Sequence, residues 1–147
     1  MFIEAPPSQV SSAEPPILNC SVLIVDYRRD IRFLSKHILT KAGATVAEAS
    51  DGQIGLDYVR ERLFDGDPPQ LILLDMQMPN LDGYETAKRL RAAGFVGPII
   101  ALTADAMQGD MSRCIEAGCN DYLSKPINAS RLIQLVAELT KASRVNS

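Results

Sequence analysis

Three short, unbroken runs of apolar residues constrain the fold of this chain more than any other feature. They lie at residues 22–25, 71–74 and 99–102 and read VLIV, LILL and IIAL. Strands of a parallel sheet are covered by helices on both faces, so they carry continuous apolar runs rather than alternating ones. The three runs therefore predict the central strands of a parallel sheet.

Amphipathic stretches separate these runs, and two weaker strand patterns lie at residues 45–49 and 121–124. Between the strands, apolar residues recur at helical spacing, and three of these stretches end at a glycine, namely Gly43, Gly94 and Gly118. Five strands in strict alternation with five helices are typical of repeated βα units. We expect a doubly wound α/β domain with a five-stranded parallel sheet.

The apolar positions of the fourth predicted helix, Met107, Met111 and Ile115, allow two interpretations. They could form an exposed patch that supports a dimer, or they could pack into the core. Large exposed apolar patches are uncommon on single domains. We therefore expect these positions to belong to the core.

Length and composition limit the class of protein. The chain has 147 residues, of which 46% are hydrophobic and 22% charged, as in an ordinary globular domain with its own core. The formal net charge of −3 argues against a nucleic-acid-binding surface. No apolar run reaches the roughly 18 residues of a membrane span, and the N-terminus lacks a secretory signal pattern. We therefore expect a cytoplasmic protein that binds neither nucleic acid nor membrane.

Proline and serine are concentrated before the first strand. Residues 1–19 contain four of the nine prolines, which predicts a flexible extension. The abrupt change to alternating strand and helix patterns begins at Cys20. We expect the folded domain to occupy residues 20–142 and a short tail to occupy residues 143–147.

The cysteines and the single histidine favour structural interpretations. Cys20, Cys114 and Cys119 show neither CxxC spacing nor a histidine cluster, so buried reduced thiols are expected rather than a zinc site or a disulfide. His37 lies on a helical pattern away from any candidate nucleophile, and we expect it at the surface. None of these four residues is predicted to take part in catalysis.

Four of the predicted strands end at a polar residue of distinctive chemistry. These residues are Asp26, Asp75, Thr103 and Lys125. Strand ends are often polar simply because they reach the surface, which would explain any one of them. The carboxyl ends of parallel strands lie at one edge of the sheet, however, and ligands bind there. Two carboxylates, a hydroxyl and an ammonium group at one edge therefore predict a functional site.

The charges of this cluster indicate its chemistry. Two neighbouring carboxylates repel each other, and both stay ionised most readily beside a hard divalent cation and an ammonium group. Mg²⁺ fits that description. Such a cluster suits phosphoryl transfer, in which a carboxylate oxygen is the nucleophile. We therefore expect phosphoryl-dependent chemistry at this edge of the sheet.

A flavin or nucleotide carrier of the same topology is the weaker alternative. Such carriers bind phosphate in a glycine-rich loop that follows the first strand. Residues 26–29 occupy that position and read DYRR. The sequence therefore disfavours a nucleotide site after the first strand.

The same residues resemble the receiver domains of two-component response regulators and hybrid histidine kinases. The resemblance covers residues 20–142 and implies the flavodoxin-like strand order 2-1-3-4-5. It implies a phosphoryl donor, either a sensor histidine kinase or a histidine phosphotransfer protein, and a downstream protein partner. It therefore implies a signalling protein rather than a metabolic enzyme, with any catalysis limited to promoting its own phosphorylation and dephosphorylation. The chain could stand alone or be part of a hybrid kinase. The motifs that carry the resemblance are VLIVD at 22–26, DMQMP at 75–79, Asp82-Gly83, Thr103-Ala104, Ala117-Gly118, Asp121-Tyr122 and Lys125-Pro126.

The resemblance implies a role for each residue of the predicted site. Asp75 is the phosphoacceptor, and Lys125 contacts the phosphoryl group. Asp26, Asp75 and the backbone carbonyl of Gln77 bind Mg²⁺. Each of these assignments comes from the family's motifs and not from spacing alone.

The resemblance also implies a switch pair and an unusual peptide bond. Thr103 and Tyr122 match the pair in which the hydroxyl moves toward the phosphoryl group and the aromatic ring fills the space that it leaves. The Lys125-Pro126 bond would be cis, which proline makes tolerable. The charge added by phosphorylation would then bias a surface that a partner protein recognises.

One position departs from the family's pattern. Asp26 is followed by Tyr27, where the family usually has a second acid that is commonly a direct metal ligand. A phenol is a poor ligand for a hard cation at neutral pH. Because loss of even an outer-shell partner typically costs roughly 10- to 100-fold in metal affinity, we expect weakened Mg²⁺ binding, with water and Asp30 assisting Asp26. The alternative is a pseudo-receiver that acts as a phosphorylation-independent interaction module.

Overall fold

The predicted alternation of strands and helices is present throughout the domain. The computed structural model describes residues 16–104 and 108–145, with side chains described up to residue 104 and from 111 to 141. In chain order the elements are β1 Ser21–Val25, α1 Arg29–Lys41, β2 Thr45–Ala49, α2 Gly52–Phe64, β3 Leu71–Asp75, α3 Gly83–Ala92, β4 Ile99–Thr103, α4 Gln108–Ala117, β5 Asp121–Ser124 and α5 Ala129–Val145.

The five strands form one parallel sheet in the order β2-β1-β3-β4-β5, which confirms the predicted fold and strand order. The three strands with unbroken apolar runs, β1, β3 and β4, are the central ones. All five residues of β3 and of β4 are buried. The weaker patterns belong to the edge strands β2 and β5, which are only partly covered.

Two apolar clusters lie on opposite faces of the sheet and explain the continuous runs. On β3, Ile72 and Leu74 face a cluster built with residues of α2, α3 and α4. Leu71 and Leu73 face the other cluster, built with residues of α1 and α5. Since both faces are covered by helices, every position of a central strand has to be apolar until the strand reaches its carboxyl end.

Local signals mark where several helices begin and end. The side chains of Asp51 and Asp82 cap α2 and α3, each accepting a hydrogen bond from the amide three residues on, at 2.8 and 2.9 Å. Gly43, Gly94 and Gly118 follow the ends of α1, α3 and α4 with φ of 110°, 104° and 113°. Glycine is favoured there because L side chains rarely adopt that conformation.

The structure differs from the predicted domain boundaries at both ends. Leu18, placed in the predicted extension, is buried, and its amide donates to the carbonyl of Ala42 at 2.7 Å. Packing therefore begins before residue 20. Helix α5 continues to Val145, past the predicted start of the tail at residue 143. Residues 1–15 lie outside the described residues, so the flexibility of the extension stays a prediction.

The core interpretation of the fourth helix is wrong for Ile115. This residue is 56% exposed, and Met111 is only half-buried. Cys114 and Ala117 face the core instead, since their small side chains let α4 pack closely on the sheet. Met107 lies outside the described residues. A short helix with apolar residues on adjacent faces leaves its rotation undetermined until it is packed.

The cysteines and His37 have the predicted environments. Cys20, Cys114 and Cys119 are buried thiols, and His37 is exposed. Burial raises the pKa of the Cys119 thiol to about 12. Within the described residues, no helix has the length and apolar character needed to cross a membrane. The cytoplasmic location stays a prediction.

Candidate functional site

The carboxyl ends of the central strands and of β5 bring charged side chains together. The Nζ atom of Lys125 lies 3.2 Å from Oδ1 of Asp75 and 3.6 Å from Oδ2 of Asp26. Asp26 is 0% exposed and Asp75 is 1% exposed. Residues that are 49 or more positions apart in the sequence thus form one ammonium-dicarboxylate cluster at the sheet edge.

Asp75 is held on one oxygen only. Its Oδ1 accepts hydrogen bonds from the amide of Gln77 at 3.1 Å and from Nζ of Lys125 at 3.2 Å. Its Oδ2 is buried and has no hydrogen-bond partner among the described residues. One oxygen therefore fixes the orientation of the carboxylate, and the other has lone pairs free for a cation and for a reacting group.

Thr103 lies beside Asp75 in the sheet. Its neighbour in the chain, Leu102, is opposite Asp75 in the β3–β4 register, and the Thr103 carbonyl accepts a hydrogen bond from the amide of Lys125 at 2.8 Å. The Thr103 side chain is buried, and its hydroxyl has no partner in the described part of the chain. Buried hydroxyls are normally hydrogen-bonded, so this one suggests a role with a further group.

The oxygens at this edge fit a hard divalent cation. Three buried oxygens, Oδ2 of Asp26, Oδ2 of Asp75 and Oγ1 of Thr103, lack hydrogen-bond partners within the described ranges. Two of them are carboxylate oxygens, which Mg²⁺ prefers together with backbone carbonyls and water. The chemistry of the donors is thus suited to the predicted cation.

Asp26 carries the strongest electrostatic perturbation of the site. The pKa of Asp26 is raised to about 6, mainly by burial, and the neighbouring carboxylate of Asp75 adds to the increase. The amide of Arg28, which donates to Oδ1 of Asp26 at 2.8 Å, and the ammonium of Lys125 oppose it. The site therefore favours a positive charge beside Asp26.

The site contains two acids rather than three. Tyr27 is 57% exposed, and no group of three or more His, Cys, Asp or Glu side chains that could hold a metal occurs among the described residues. Asp30, the predicted assistant, is an exposed residue whose two oxygens accept hydrogen bonds from the guanidinium of Arg28 at 3.2 and 2.8 Å. This pairing holds the pKa of Asp30 below its usual value. The Asp30 carboxylate is thus directed toward Arg28.

Arg32 is a supporting residue that the sequence did not reveal. One of its terminal nitrogens donates to the carbonyls of Asp26, at 2.8 Å, and Tyr27, at 3.3 Å. Its Nε donates to a carboxylate oxygen of Glu48 on β2. Arg32 therefore holds the turn between β1 and α1, and with it the main chain of Asp26. No motif or spacing in the sequence predicts the contact of Arg32 with these carbonyls, because it depends on the length and direction of one side chain.

The remaining predicted residues lie on or next to β5. Tyr122 is half-buried, packs against the apolar cluster of α2, α3 and α4, and is opposite Ala101 in the β4–β5 register. The Lys125-Pro126 peptide bond is cis, as the resemblance implied. The motion of Thr103 and Tyr122 as a switch pair stays a prediction.

A family model and curated proteins match most of the chain. The family is described as the response regulator receiver domain, and its model matches residues 22–137. The two-component response regulator ORR41 of Oryza sativa subsp. japonica is 33% identical over 123 residues, which cover 82% of this chain and 94% of the rice protein. The osmosensing histidine protein kinase SLN1 of Saccharomyces cerevisiae is 35% identical over 123 residues, covering 82% of this chain. The match spans only 10% of that kinase.

Solved structures show the same architecture. The receiver domain of the Francisella response regulator 1452 is 30% identical, with a TM-score of 0.76, and the match covers 85% of this chain and 99% of that chain. The receiver domain of the Saccharomyces cerevisiae response regulator Ssk1 was solved with the histidine phosphotransfer protein Ypd1. It is 27% identical, with a TM-score of 0.76, and the match covers 88% of this chain and 93% of that chain.

Proposed function

This chain belongs to the family of response regulator receiver domains of two-component and phosphorelay systems, and from that membership we propose that Asp75 accepts the phosphoryl group. The donor is a phosphohistidine on a sensor histidine kinase or on a histidine phosphotransfer protein. Two similarities support this donor: the kinase SLN1 contains a matching segment, and the similar domain of Ssk1 was solved with a histidine phosphotransfer protein.

The unequal environment of the two Asp75 oxygens is the observation that carries the proposal. Gln77 and Lys125 hold Oδ1, and Oδ2 is buried without a partner in the described residues. In the proposed step, Oδ2 attacks phosphorus, the P–O bond forms as the P–N bond of phosphohistidine breaks, and the bonding electron pair leaves with the imidazole nitrogen. That nitrogen then takes up a proton.

Lys125 and Thr103 stabilise the phosphoryl group after transfer. The ammonium of Lys125 already lies 3.2 Å from Asp75, so it can pair with a phosphoryl oxygen with little rearrangement. The unpartnered hydroxyl of Thr103 can move toward another phosphoryl oxygen and donate a hydrogen bond to it. The ring of Tyr122 then moves into the space that the Thr103 side chain leaves. The changed surface near β4 and β5 is then recognised by a downstream protein partner.

We assign the magnesium site to Asp26, Asp75 and the backbone carbonyl of Gln77. When bound, Mg²⁺ supplies positive charge that offsets the phosphoryl oxygens. Only two acids contribute, and Tyr27 stands where a third would be. The proposal is therefore a receiver that retains phosphotransfer but binds Mg²⁺ weakly.

The proposal is tested by intact-mass measurement. The full chain is incubated with acetyl phosphate, or with a phosphorylated kinase domain, over a titration of Mg²⁺. We expect a Mg²⁺-dependent adduct of one phosphoryl group, which Asp75→Asn abolishes. An adduct of equal yield in Asp75→Asn would refute the assignment of the acceptor.

The second candidate is a pseudo-receiver that binds partners without being phosphorylated. The observation that favours it is Tyr27, which leaves the site with one acid fewer than the family pattern. The same experiment separates the two candidates. No adduct at saturating Mg²⁺ with a donor that phosphorylates a control receiver would establish the interaction module instead.

A further inference from the structure

We propose that Gly83, the first residue of α3, is a positioning residue of the phosphoacceptor site. Its missing side chain lets α3 begin directly against the peptide of Asp75, and this contact holds the loop that presents the Gln77 carbonyl. The inference rests on the proposed function in one respect, the use of that carbonyl as a metal ligand.

The contact between Gly83 and the end of β3 is a backbone contact. A Cβ atom at Gly83 would lie 2.4 Å from the carbonyl oxygen of Asp75 and 2.5 Å from Cα of Met76. The amide of Gly83 donates to the carbonyl of Met76 at 3.3 Å. Backbone atoms cannot rotate away as the end of a flexible side chain can, so any side chain at position 83 has to displace the main chain of the phosphoacceptor.

Glycine is required at position 83 because there is no room for a side chain, and not because of the backbone conformation. Gly83 is buried in the first turn of α3 and does not have the positive φ that disfavours L residues. An alanine there could adopt the same φ and ψ. The consequences of Gly83→Ala are therefore confined to the close approach to Asp75.

The start of α3 is fixed independently of Gly83. The carboxylate of Asp82 caps the helix by accepting from the amide of Glu85 at 2.9 Å. The hydroxyl of Thr86 donates to the carbonyl of Asp82 at 2.8 Å. Residues 76–82 thus form a short loop that leaves Asp75 and returns to the Asp75 backbone through Gly83.

Gln77 lies inside this closed loop. Its amide donates to Oδ1 of Asp75 at 3.1 Å, so the loop and the acceptor carboxylate are already coupled. A displacement of the Asp75–Met76 peptide would move the Gln77 amide and carbonyl together. Because Tyr27 supplies no carboxylate, the carbonyl of Gln77 represents a larger share of the proposed metal ligands than in a site with three acids.

The first experiment compares Gly83→Ala with Gly97→Ala in the full chain. A Cβ at Gly97 would also be crowded, at 2.8 Å from Cζ of Phe95 and 3.1 Å from the carbonyl oxygen of Gln70, but it lies before β4, at the end of the sheet away from Asp75. Mg²⁺ dissociation constants are measured by amide NMR shifts at a temperature where both variants are folded. We expect Gly83→Ala to weaken Mg²⁺ binding by at least about tenfold and Gly97→Ala to change it less than twofold.

Hydrogen exchange of the Gln77 amide is the second readout, and it needs no metal. We expect Gly83→Ala to speed this exchange at least about tenfold, whereas Gly97→Ala leaves it as in the wild type. Equal Mg²⁺ affinity and equal Gln77 exchange in both variants would overturn the inference. If the wild type takes up no phosphoryl group and no Mg²⁺, the proposed function fails, and Gln77 exchange still decides whether Gly83 positions the loop.

Variants of Asp82 keep the test decisive if Gly83→Ala does not fold. Asp82→Ala removes the cap and loosens the start of α3 without adding atoms. Asp82→Asn retains an equally good cap but no charge. We expect faster Gln77 exchange and weaker Mg²⁺ binding in Asp82→Ala and wild-type values in Asp82→Asn. Asp51→Ala, which removes the cap of α2, serves as the control, and an equal effect there would contradict the inference.

Discussion

Asp26 is a buried carboxylate whose charged form is disfavoured by its surroundings. Burial, and then the nearby carboxylate of Asp75, raise its pKa to about 6, against 3.8 for an ordinary aspartate. The folded chain therefore binds this proton more tightly than the unfolded chain does. The resulting stabilisation is complete below about pH 4 and is lost as the pH rises through about 6. At neutral pH the charge of Asp26 destabilises the domain unless a cation binds.

Replacing Asp26 with asparagine should stabilise the metal-free domain at neutral pH. The amide keeps an oxygen for the Arg28 amide but carries no charge. We expect the free energy of unfolding at pH 8 to rise on the order of 1 to 3 kcal/mol, and the loss of stability between pH 4 and 6 to disappear. Urea unfolding with a chelator present measures both effects. Asp65→Asn, at an exposed residue, is the control, and a less stable Asp26→Asn protein at pH 8 would contradict the account.

Tyr27 should determine the affinity for Mg²⁺. Tyr27→Asp restores a carboxylate next to Asp26, and we expect it to tighten Mg²⁺ binding by at least roughly tenfold. Isothermal titration calorimetry gives the dissociation constants. Tyr27→Asn removes the ring without adding a charge and separates the two effects. An unchanged dissociation constant in Tyr27→Asp would show that position 27 does not contribute to the metal site.

At the scale of elements, different contacts connect the helices and loops at the carboxyl ends and at the amino ends of the strands. At the carboxyl edge, charged and hydroxyl side chains meet around Asp75. At the opposite edge, the guanidinium of Arg91 joins the end of α3 to the loops that lead into β4 and β5. It donates to the carbonyls of Phe95, Gly97 and Gly118 and to Oδ1 of Asn120, at 2.7 to 3.0 Å.

Removing this guanidinium should destabilise the fold more than removing a surface one. Arg91→Met leaves several half-buried carbonyls without their donor, and we expect a loss of at least about 2 kcal/mol in the free energy of unfolding. Arg89→Met removes an exposed pair with Glu85 on the same helix and should cost less than about 0.5 kcal/mol. Urea unfolding at equal m-values measures both. Equal losses would contradict the structural role of Arg91.

At the scale of the whole molecule, helices cover both faces of the sheet and enclose all three thiols. Cys20 belongs to the cluster with α1 and α5, whereas Cys114 and Cys119 belong to the cluster with α2, α3 and α4. A reagent therefore reaches these cysteines only when a face of the sheet opens. The reactivity of Cys20 therefore reports the opening of one face of the sheet, and that of Cys114 and Cys119 the opening of the other.

Thiol labelling should follow unfolding. At pH 8 we expect the native chain to react with a disulfide reagent at least about a hundredfold more slowly than the urea-unfolded chain, since burial hides the thiols and raises the pKa of Cys119 to about 12. Absorbance of the released thiol measures the rates. Ile115→Cys places a fourth thiol at an exposed position and should react at once. Rapid labelling of the native wild type would contradict the enclosed packing.

The sequence by itself determined the sheet and the identity of the clustered side chains. Continuous apolar runs require strands covered on both faces, and the carboxyl ends of such strands share one edge. Asp26, Asp75 and Lys125 could therefore be brought together from their places at strand ends. The recognised motifs added the expected roles and the cis peptide before Pro126.

The tertiary structure alone decided how that cluster is held. The rotation of α4, which buries Cys114 and exposes Ile115, follows from packing and not from the apolar pattern. Arg32 donates to the carbonyl of Asp26, and Gly83 packs against the peptide of Asp75. Both contacts depend on differences of a few ångströms in where the elements lie. Periodicity specifies which face of an element is apolar, but close contacts depend on where neighbouring elements finally come to rest.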